Sequence, residues 1–382
     1  MNICIVTSSF PTHPSDVVQA PFLIDFIEDL RKRGHRVFIF TQDRRGEKKE
    51  FLKEVHVRWF PWMGSDKPLV HLNPIHPVDG FRIISLFWNG KRILPSFLKE
   101  NQIDVCLALW FLPGGFFANA AYRRTGVPYS VWALGSDIYR YGGNPFLYPA
   151  MKRIAEEART VFADGFDLAK RVEKRFNKKC VFLASTRRIQ GVEPDKPDKP
   201  DKPDKPYHFL FVGRLERVKG VDLLLKAAAS LKEEKLDFRL AVVGKGGMEE
   251  WAKSFVREEG LEGRIRLMGN VSDSALASLY ASTDCIVIPS RSESIPLVFS
   301  EALRFDKELI VTDVGDMGML GREYGVARVV PPEDFWPLGE AMKTGIETGR
   351  KGTEGRDTKK RDELLQLFSV ERSVERFLSD YR

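Results

Sequence analysis

The sequence predicts an α/β protein made of two doubly wound, Rossmann-like domains. Three observations carry the prediction. Short apolar runs alternate with helix-like segments along the 382-residue chain. The runs are too apolar to leave one face in water, which suits parallel strands covered on both sides. The alternation breaks once, at a proline-rich repeat near residue 194, and then restarts. The length fits two domains better than one.

The first half opens with NICIVTS, a strand ending in small polar residues. FLIDFIEDLRKRGH follows, with apolar residues at helical spacing and Gly34 as its stop. RVFIFT is the next strand, and DVCLAL, VPYSVWAL, TVFADGF and CVFLAS repeat the pattern. An N-terminal domain is expected over 1–187. PDKPDKPDKPDKP then places proline at every third position, which prevents helix and central strand and favours polyproline II. With no glycine it is not collagen-like, so 188–206 is expected to be a semi-rigid linker. The second half reads HFLFVG, VDLLLKAAASLKEE, FRLAVVG, MEEWAKSFVREE, RIRLMG, DSALASLYAS, CIVIPS, PLVFSEALR, ELIVTD and ARVV. It predicts a second domain over 207–365. The closing FSVERSVERFLSDYR (366–382) is a charged amphipathic helix with Phe368, Val370, Val374, Phe377, Leu378 and Tyr381 on its apolar side. It either caps the second domain or crosses back to the first.

The composition, 43% hydrophobic and 30% charged, is that of a globular protein. A net charge of +7 suits nucleic acid, anionic lipid or phosphorylated small molecules equally well. No signal peptide and no run of about 18 apolar residues is visible, so a cytoplasmic protein is expected. Cys4, Cys106, Cys180 and Cys285 stand far apart with no CxxC. They read as buried reduced thiols rather than metal ligands.

Ligands of open α/β sheets bind beyond the carboxyl ends of the strands. The loops after strands, facing an expected interdomain cleft, are therefore where chemistry is sought. VGRLERVKGVDLLL places Arg214 at a strand end and Lys219 and Gly220 before a helix, with Asp222 in its first turn. Two cations at a helix start form an anion site, most naturally for phosphate. The alternative is a pair of solvated surface charges. No Walker loop and no correctly placed GxGxxG is present. GKGG, beginning at Gly244, is glycine-rich after a strand, which turn geometry alone would explain.

SRSESIPLVFSEALR (290–304) holds Glu293 and Glu301 with seven residues between them. Pro296 is expected as the first helical residue, freeing the amides of Leu297 and Val298 to face an anion. Glu301 falls on the shoulder of the buried face, where a carboxylate needs a donor. Otherwise both are ordinary intrahelical or capping glutamates. Asp137, in GSDIYRYGG, either orients an acceptor hydroxyl or caps the next helix. Trp110 and Phe111 either line an acceptor site or belong to the core. FRIISLFWNGKRILPSFLKE mixes aromatics with Arg82, Lys91, Arg92 and Lys99. It is either a membrane-surface stretch or a helix packed on its own sheet.

Taken together, VGRLERVKGVDLLLKA, AVVGKGG and GNVSDSALASLYASTDCIVIPSRSESIPLVFSEALRFDKELIVTDVG resemble the carboxyl domain of the GT4 retaining glycosyltransferases. SFPTHPSDVVQAPFLIDFIEDLRKRGHRV, LWFLPGGFFANAAYRRTGVPYSVWALGSDIYRY, IQGVEPD and the closing helix extend the resemblance over most of the chain. It implies a GT-B fold and a UDP- or GDP-sugar donor bound mainly by the second domain. It further implies that Arg214 and Lys219 hold the diphosphate, that Glu301 accepts from ribose hydroxyls and that Glu293 sits by the transferred sugar. The expected donor site comprises Arg214, Lys219, Gly244, Gly269, Val271, Glu293, Ile295, Pro296, Leu297, Val298 and Glu301. Catalysis is expected of Glu293, Arg214, Lys219 and Asp137.

The chain departs from the family pattern at Ala20 and Pro21, at Leu134 in place of histidine, at Gln190, and at Gly315 and Asp316. No D-x-D occurs, so neither a metal nor another cofactor is expected, and the cations take the metal's place. The expected acceptor is lipid-linked or a saccharide, with peripheral contact at the inner membrane face and no nucleic acid partner. The competing functions are a sugar-nucleotide epimerase or phosphorylase of the same fold, and a non-catalytic basic membrane or nucleic-acid binding protein.

Overall fold

The computed structural model describes residues 1–12, 20–44, 52, 54–64, 69, 72–189, 206–349 and 358–381. The proline repeat of the expected linker lies outside the described residues. The chain divides into two units, Met1–Arg187 with Val370–Arg382, and Arg188–Ser369.

The first unit contains strands β1 (Asn2–Val6), β2 (Arg36–Gln42), β3 (His56–Phe60), β4 (Val105–Leu109), β5 (Tyr129–Ala133), β6 (Val161–Ala163) and β7 (Cys180–Phe182). Its helices are α1 (Phe22–Lys32), α2 (Pro77–Glu100), α3 (Phe116–Thr125), α4 (Ser136–Tyr141), α5 (Tyr148–Glu157) and α6 (Phe166–Phe176). All seven strands are parallel, in the order β3-β2-β1-β4-β5-β6-β7. Every residue of β4 and β5 is buried, as expected for strands covered on both faces. In this sheet, β3 at the edge alternates between exposed and half-buried side chains before ending on the buried Phe60.

The second unit contains β8 (Tyr207–Val212), β9 (Phe238–Val243), β10 (Ile265–Gly269), β11 (Cys285–Ile288), β12 (Glu308–Thr312) and β13 (Arg328–Val330). Its helices are α7 (Val221–Glu233), α8 (Glu249–Glu258), α9 (Asp273–Ser282), α10 (Leu297–Arg304), α11 (Met317–Glu323), α12 (Phe335–Thr348) and α13 (Thr358–Leu367). The sheet is parallel, in the order β10-β9-β8-β11-β12-β13. In each unit the direction of winding reverses beside the first strand, between β1 and β4 and between β8 and β11. Such a reversal splays the loops on either side and leaves room for a ligand.

The helix expected over 366–382 starts later, as α14 (Val370–Leu378). A turn at Phe368 and Ser369 separates it from α13, and the Arg304 guanidinium donates to the Phe368 carbonyl at 2.9 Å. Residues of α13 stay with the second unit, where Arg361 donates to the Leu303 carbonyl at 2.6 and 3.0 Å. Helix α14 packs on α1 in the first unit: Phe377 meets Phe26 and Phe162, and Ser373 donates to the Ala184 carbonyl at 3.0 Å. All four cysteines are buried free thiols, in keeping with the sequence reading.

Candidate functional site

The winding reversal of the second unit brings two loops together, Gly213–Gly220 after β8 and Pro289–Pro296 after β11. They approach closely at Gly220, whose φ of +72° favours glycine. A Cβ there would overlap the Pro289 carbonyl oxygen. This contact sets Lys219 beside the second loop, where its ammonium pairs with Glu293. Ser290 also donates to Glu293 Oε1, at 3.2 Å. Arg214 is exposed and makes no ion pair among the described residues.

Arg291 ties the two loops together. Its backbone amide donates to the Val218 carbonyl at 2.8 Å. Its guanidinium forks onto both oxygens of Asp222 at 2.7 and 2.8 Å and reaches the Arg217 carbonyl and Glu333, each at 2.6 Å. The Asp222 hydrogen bonds raise the Arg291 pKa against the opposing effect of burial. Burial pushes the Asp222 carboxyl up, but Arg291 outweighs it and holds the group below its usual range.

Helix α10 begins one residue later than the sequence suggested. Pro296 is extended, with φ −72° and ψ 149°, and caps the helix from outside. Proline's fixed φ is compatible with either position, and here ψ stays in the extended range. The amides of Leu297 and Val298 still open the helix without a hydrogen-bond partner among the described residues. Glu301 is fully buried rather than on a shoulder, and its Oε2 accepts from the Tyr280 hydroxyl at 2.6 Å. Ile295, just before Pro296, is buried. Gly244 follows β9, and its amide donates to Gly269, the last residue of β10, at 2.8 Å. The Leu215 amide donates to the Lys245 carbonyl at 3.0 Å. Gly244 and Gly269 thus neighbour the Arg214 loop, with Val271 two residues past the end of β10.

Asp137 belongs to the first unit. It is the second residue of α4, and backbone groups at the helix start, those of Asp137 and Ile138, favour its charged form. Gly135, at φ +88°, turns the chain so that the carboxylate folds inward. Its Oδ2 accepts from the Phe111 amide at 2.9 Å, and its Oδ1 is buried with no partner among the described residues. Burial raises its pKa to about 6 despite the amides that favour the charge. Phe111 is core, stacked on Phe176, whereas Trp110 is half-buried with a left-handed φ of +61°.

Sequence reasoning missed Arg291 and Tyr280. A single loop arginine carries no mark of a partner 69 residues away, and Tyr280 reads as one more apolar position of α9. Among the described residues, no three His, Cys, Asp or Glu side chains gather as metal ligands.

Comparison with known proteins gives a consistent result. Residues 192–347 match the profile of glycosyl transferases group 1, and residues 20–179 match that of a glycosyl transferase 4-like domain. A D-inositol 3-phosphate glycosyltransferase of Pseudarthrobacter chlorophenolicus is 31% identical over 140 residues, 36% of this chain and 31% of that protein. The chain therefore aligns with about a third of that relative's length. An uncharacterized glycosyltransferase of Methanocaldococcus jannaschii is 34% identical over 239 residues, 62% of this chain and 64% of that protein. Among solved structures, sucrose-phosphate synthase from Thermosynechococcus elongatus superposes with a TM-score of 0.78 at 16% identity, covering 100% of this chain and 98% of that one. Anabaena HepE in complex with UDP-glucose superposes at 0.71 with 17% identity, covering 99% of each chain.

Proposed function

The chain belongs to the group 1 glycosyltransferases and has their GT-B fold, and from that premise we propose that it transfers a hexose from a UDP- or GDP-sugar to a saccharide or lipid-linked acceptor, with retention at the anomeric carbon. The observation that carries this reading is the meeting of Lys219, Glu293 and the open amides of α10 at the winding reversal of the second sheet. The structure of Anabaena HepE with UDP-glucose supports a uridine donor.

In this reading the diphosphate lies against the amides of Leu297 and Val298. Arg214 and Lys219 balance its charge, and Gly244, Gly269 and Val271 border the nucleotide. Lys219 leaves Glu293 for the diphosphate, and Glu293 turns to accept from a sugar hydroxyl. Glu301, held by Tyr280, presents its other oxygen to the ribose. In the transfer, the bond from the anomeric carbon to the diphosphate breaks and its electron pair stays on the phosphate oxygen. The acceptor oxygen bonds to the same face of that carbon, and its proton passes to the departing phosphate. Fixed positive charge at the leaving group lowers the barrier without a metal.

Isothermal titration tests this. The wild-type protein is expected to bind UDP or GDP, and EDTA is expected to change nothing. Lys219→Ala removes a charge-assisted contact of about 1.5–3 kcal/mol, weakening binding roughly ten- to a hundredfold. Glu293→Gln removes the competitor for Lys219, so nucleotide affinity holds or rises while turnover falls. A wild-type protein that binds neither nucleotide sinks the reading.

A further inference from the structure

Glu301 is only 1% exposed on α10, and a carboxylate so placed needs hydrogen-bond donors. One donor is Tyr280 of α9, whose hydroxyl reaches Glu301 Oε2 at 2.6 Å, the length of a charge-assisted O–H···O bond. The tyrosine is itself fixed. Its ring is fully buried and stacks on Phe305, with centroids 5.0 Å apart and planes 17° from parallel. Phe305 caps the end of α10 one turn after Glu301, so the two lie on one side of that helix. Helix α10 therefore grips Tyr280 twice, by its ring and by its hydroxyl. Beside this grip, Lys307 donates to the Ala281 carbonyl at 2.8 Å and ties the end of α9 to the chain leaving α10.

Such a clamp supplies geometry. A carboxylate offers about four acceptor positions, and the tyrosine bond uses one while restricting how the group can turn. Recognition of a ligand hydroxyl depends on that restriction. A site selects for a hydroxyl because its buried polar partner is left unmet when the hydroxyl is missing. A carboxylate able to turn away finds another donor and forgives the loss, so the selecting group must be held by its neighbours.

We propose that Tyr280 is a positioning residue that makes the donor site select ribonucleotides over deoxyribonucleotides. The inference rests on the transferase reading, in which Glu301 meets the ribose, and it deepens that reading by naming the class of donor. The site takes ribonucleoside diphosphate sugars and turns away thymidine diphosphate sugars, whose pentose lacks the 2′-hydroxyl. Tyr280 acts only through Glu301. Its hydroxyl holds the carboxylate where a 2′-hydroxyl can donate to it, and a pentose without that group leaves a buried acceptor unmet.

Paired calorimetric titrations test it, UDP against 2′-deoxy-UDP and GDP against 2′-deoxy-GDP. The wild-type protein is expected to prefer the ribonucleotide about tenfold or more. Tyr280→Phe keeps the ring on Phe305 and removes only the hydroxyl. It is expected to narrow the preference about three- to tenfold, by weakening the ribonucleotide while the deoxyribonucleotide holds. Added to Glu301→Gln, it is expected to change the preference no further, because both act through one carboxylate. Leu276→Ala removes a buried side chain of α9 one turn before Tyr280. It is expected to lower the thermal melt and keep the wild-type preference, which separates lost stability from lost positioning. The inference is overturned, with the transferase reading left standing, by a wild-type protein that binds a nucleotide without preferring the ribose form. Wild-type preference in Tyr280→Phe overturns it in the same way, as does equal narrowing in Leu276→Ala. A wild-type protein that binds neither UDP nor GDP overturns both readings.

Discussion

The guanidinium of Arg291 makes four hydrogen bonds to three residues, Asp222, Arg217 and Glu333. Lysine has the charge but not the planar fork. Arg291→Lys is expected to cost about 1–2 kcal/mol in denaturant unfolding. It is also expected to weaken UDP binding several-fold, because Lys219 then loses its register with Glu293. Unchanged titrations would show that Lys219 is held without Arg291. Asp137 gives a prediction of the opposite sign. Its folded pKa of about 6 lies above the ordinary 3.8, so between pH 4 and 6 the unfolded chain gives up this proton first and stability falls as pH rises. The penalty is complete above pH 6 and amounts to at most about 3 kcal/mol. Asparagine keeps an acceptor for the Phe111 amide without the charge. Asp137→Asn should therefore be the more stable protein above pH 6 in urea melts, with the difference vanishing toward pH 4.

At the scale of elements, legibility followed environment. The strands β4, β5 and β11 were plain in the sequence because they are buried on both faces and so consist of unbroken apolar runs. Strand β3, HVRWF, was not, because an edge strand keeps polar side chains on its wet side and its one-in-two alternation is short. The loop cations and glutamates were legible for a local reason: they lie within a few residues of a strand end or a helix start. What the sequence hid is pairing at a distance. The bond from Tyr280 to Glu301 spans 21 residues and the fork of Arg291 spans 69. Neither follows from spacing within one segment. The stretch containing α2 posed a choice between packing on its own sheet and facing a membrane surface. Its buried face packs within the first unit while Phe81, Ile84 and Trp88 stay in solvent.

At the scale of the molecule, the chain leaves its first unit at Arg187 and returns to it at Val370. The last thirteen residues therefore complete a core begun by the first. Phe377 and Val374 are fully buried, Ser373 reaches the Ala184 carbonyl, and Tyr381 lies 2.6 Å from the Ser130 hydroxyl. Deleting residues 370–382 removes several apolar side chains worth about 1.5–3 kcal/mol each. Calorimetry is expected to show the first unit melting more than about 10 °C lower, with the transition of the second unit in place. Equal loss in both transitions would mean that α14 also supports the second unit.

The pairing of Lys219 with Glu293 bears on what the site ignores. A bare cation at a helix start would collect whatever small anion is abundant in solution, and inorganic phosphate would become an inhibitor. Here the lysine already has a counter-ion within the protein, so a simple anion that recruits it must break that bond and leaves a carboxylate stranded. On the transferase reading, only a ligand carrying a diphosphate and a sugar hydroxyl together repays both halves of the exchange. The ion pair then acts as a two-key lock, and it filters ligands before any side chain reads the identity of the sugar.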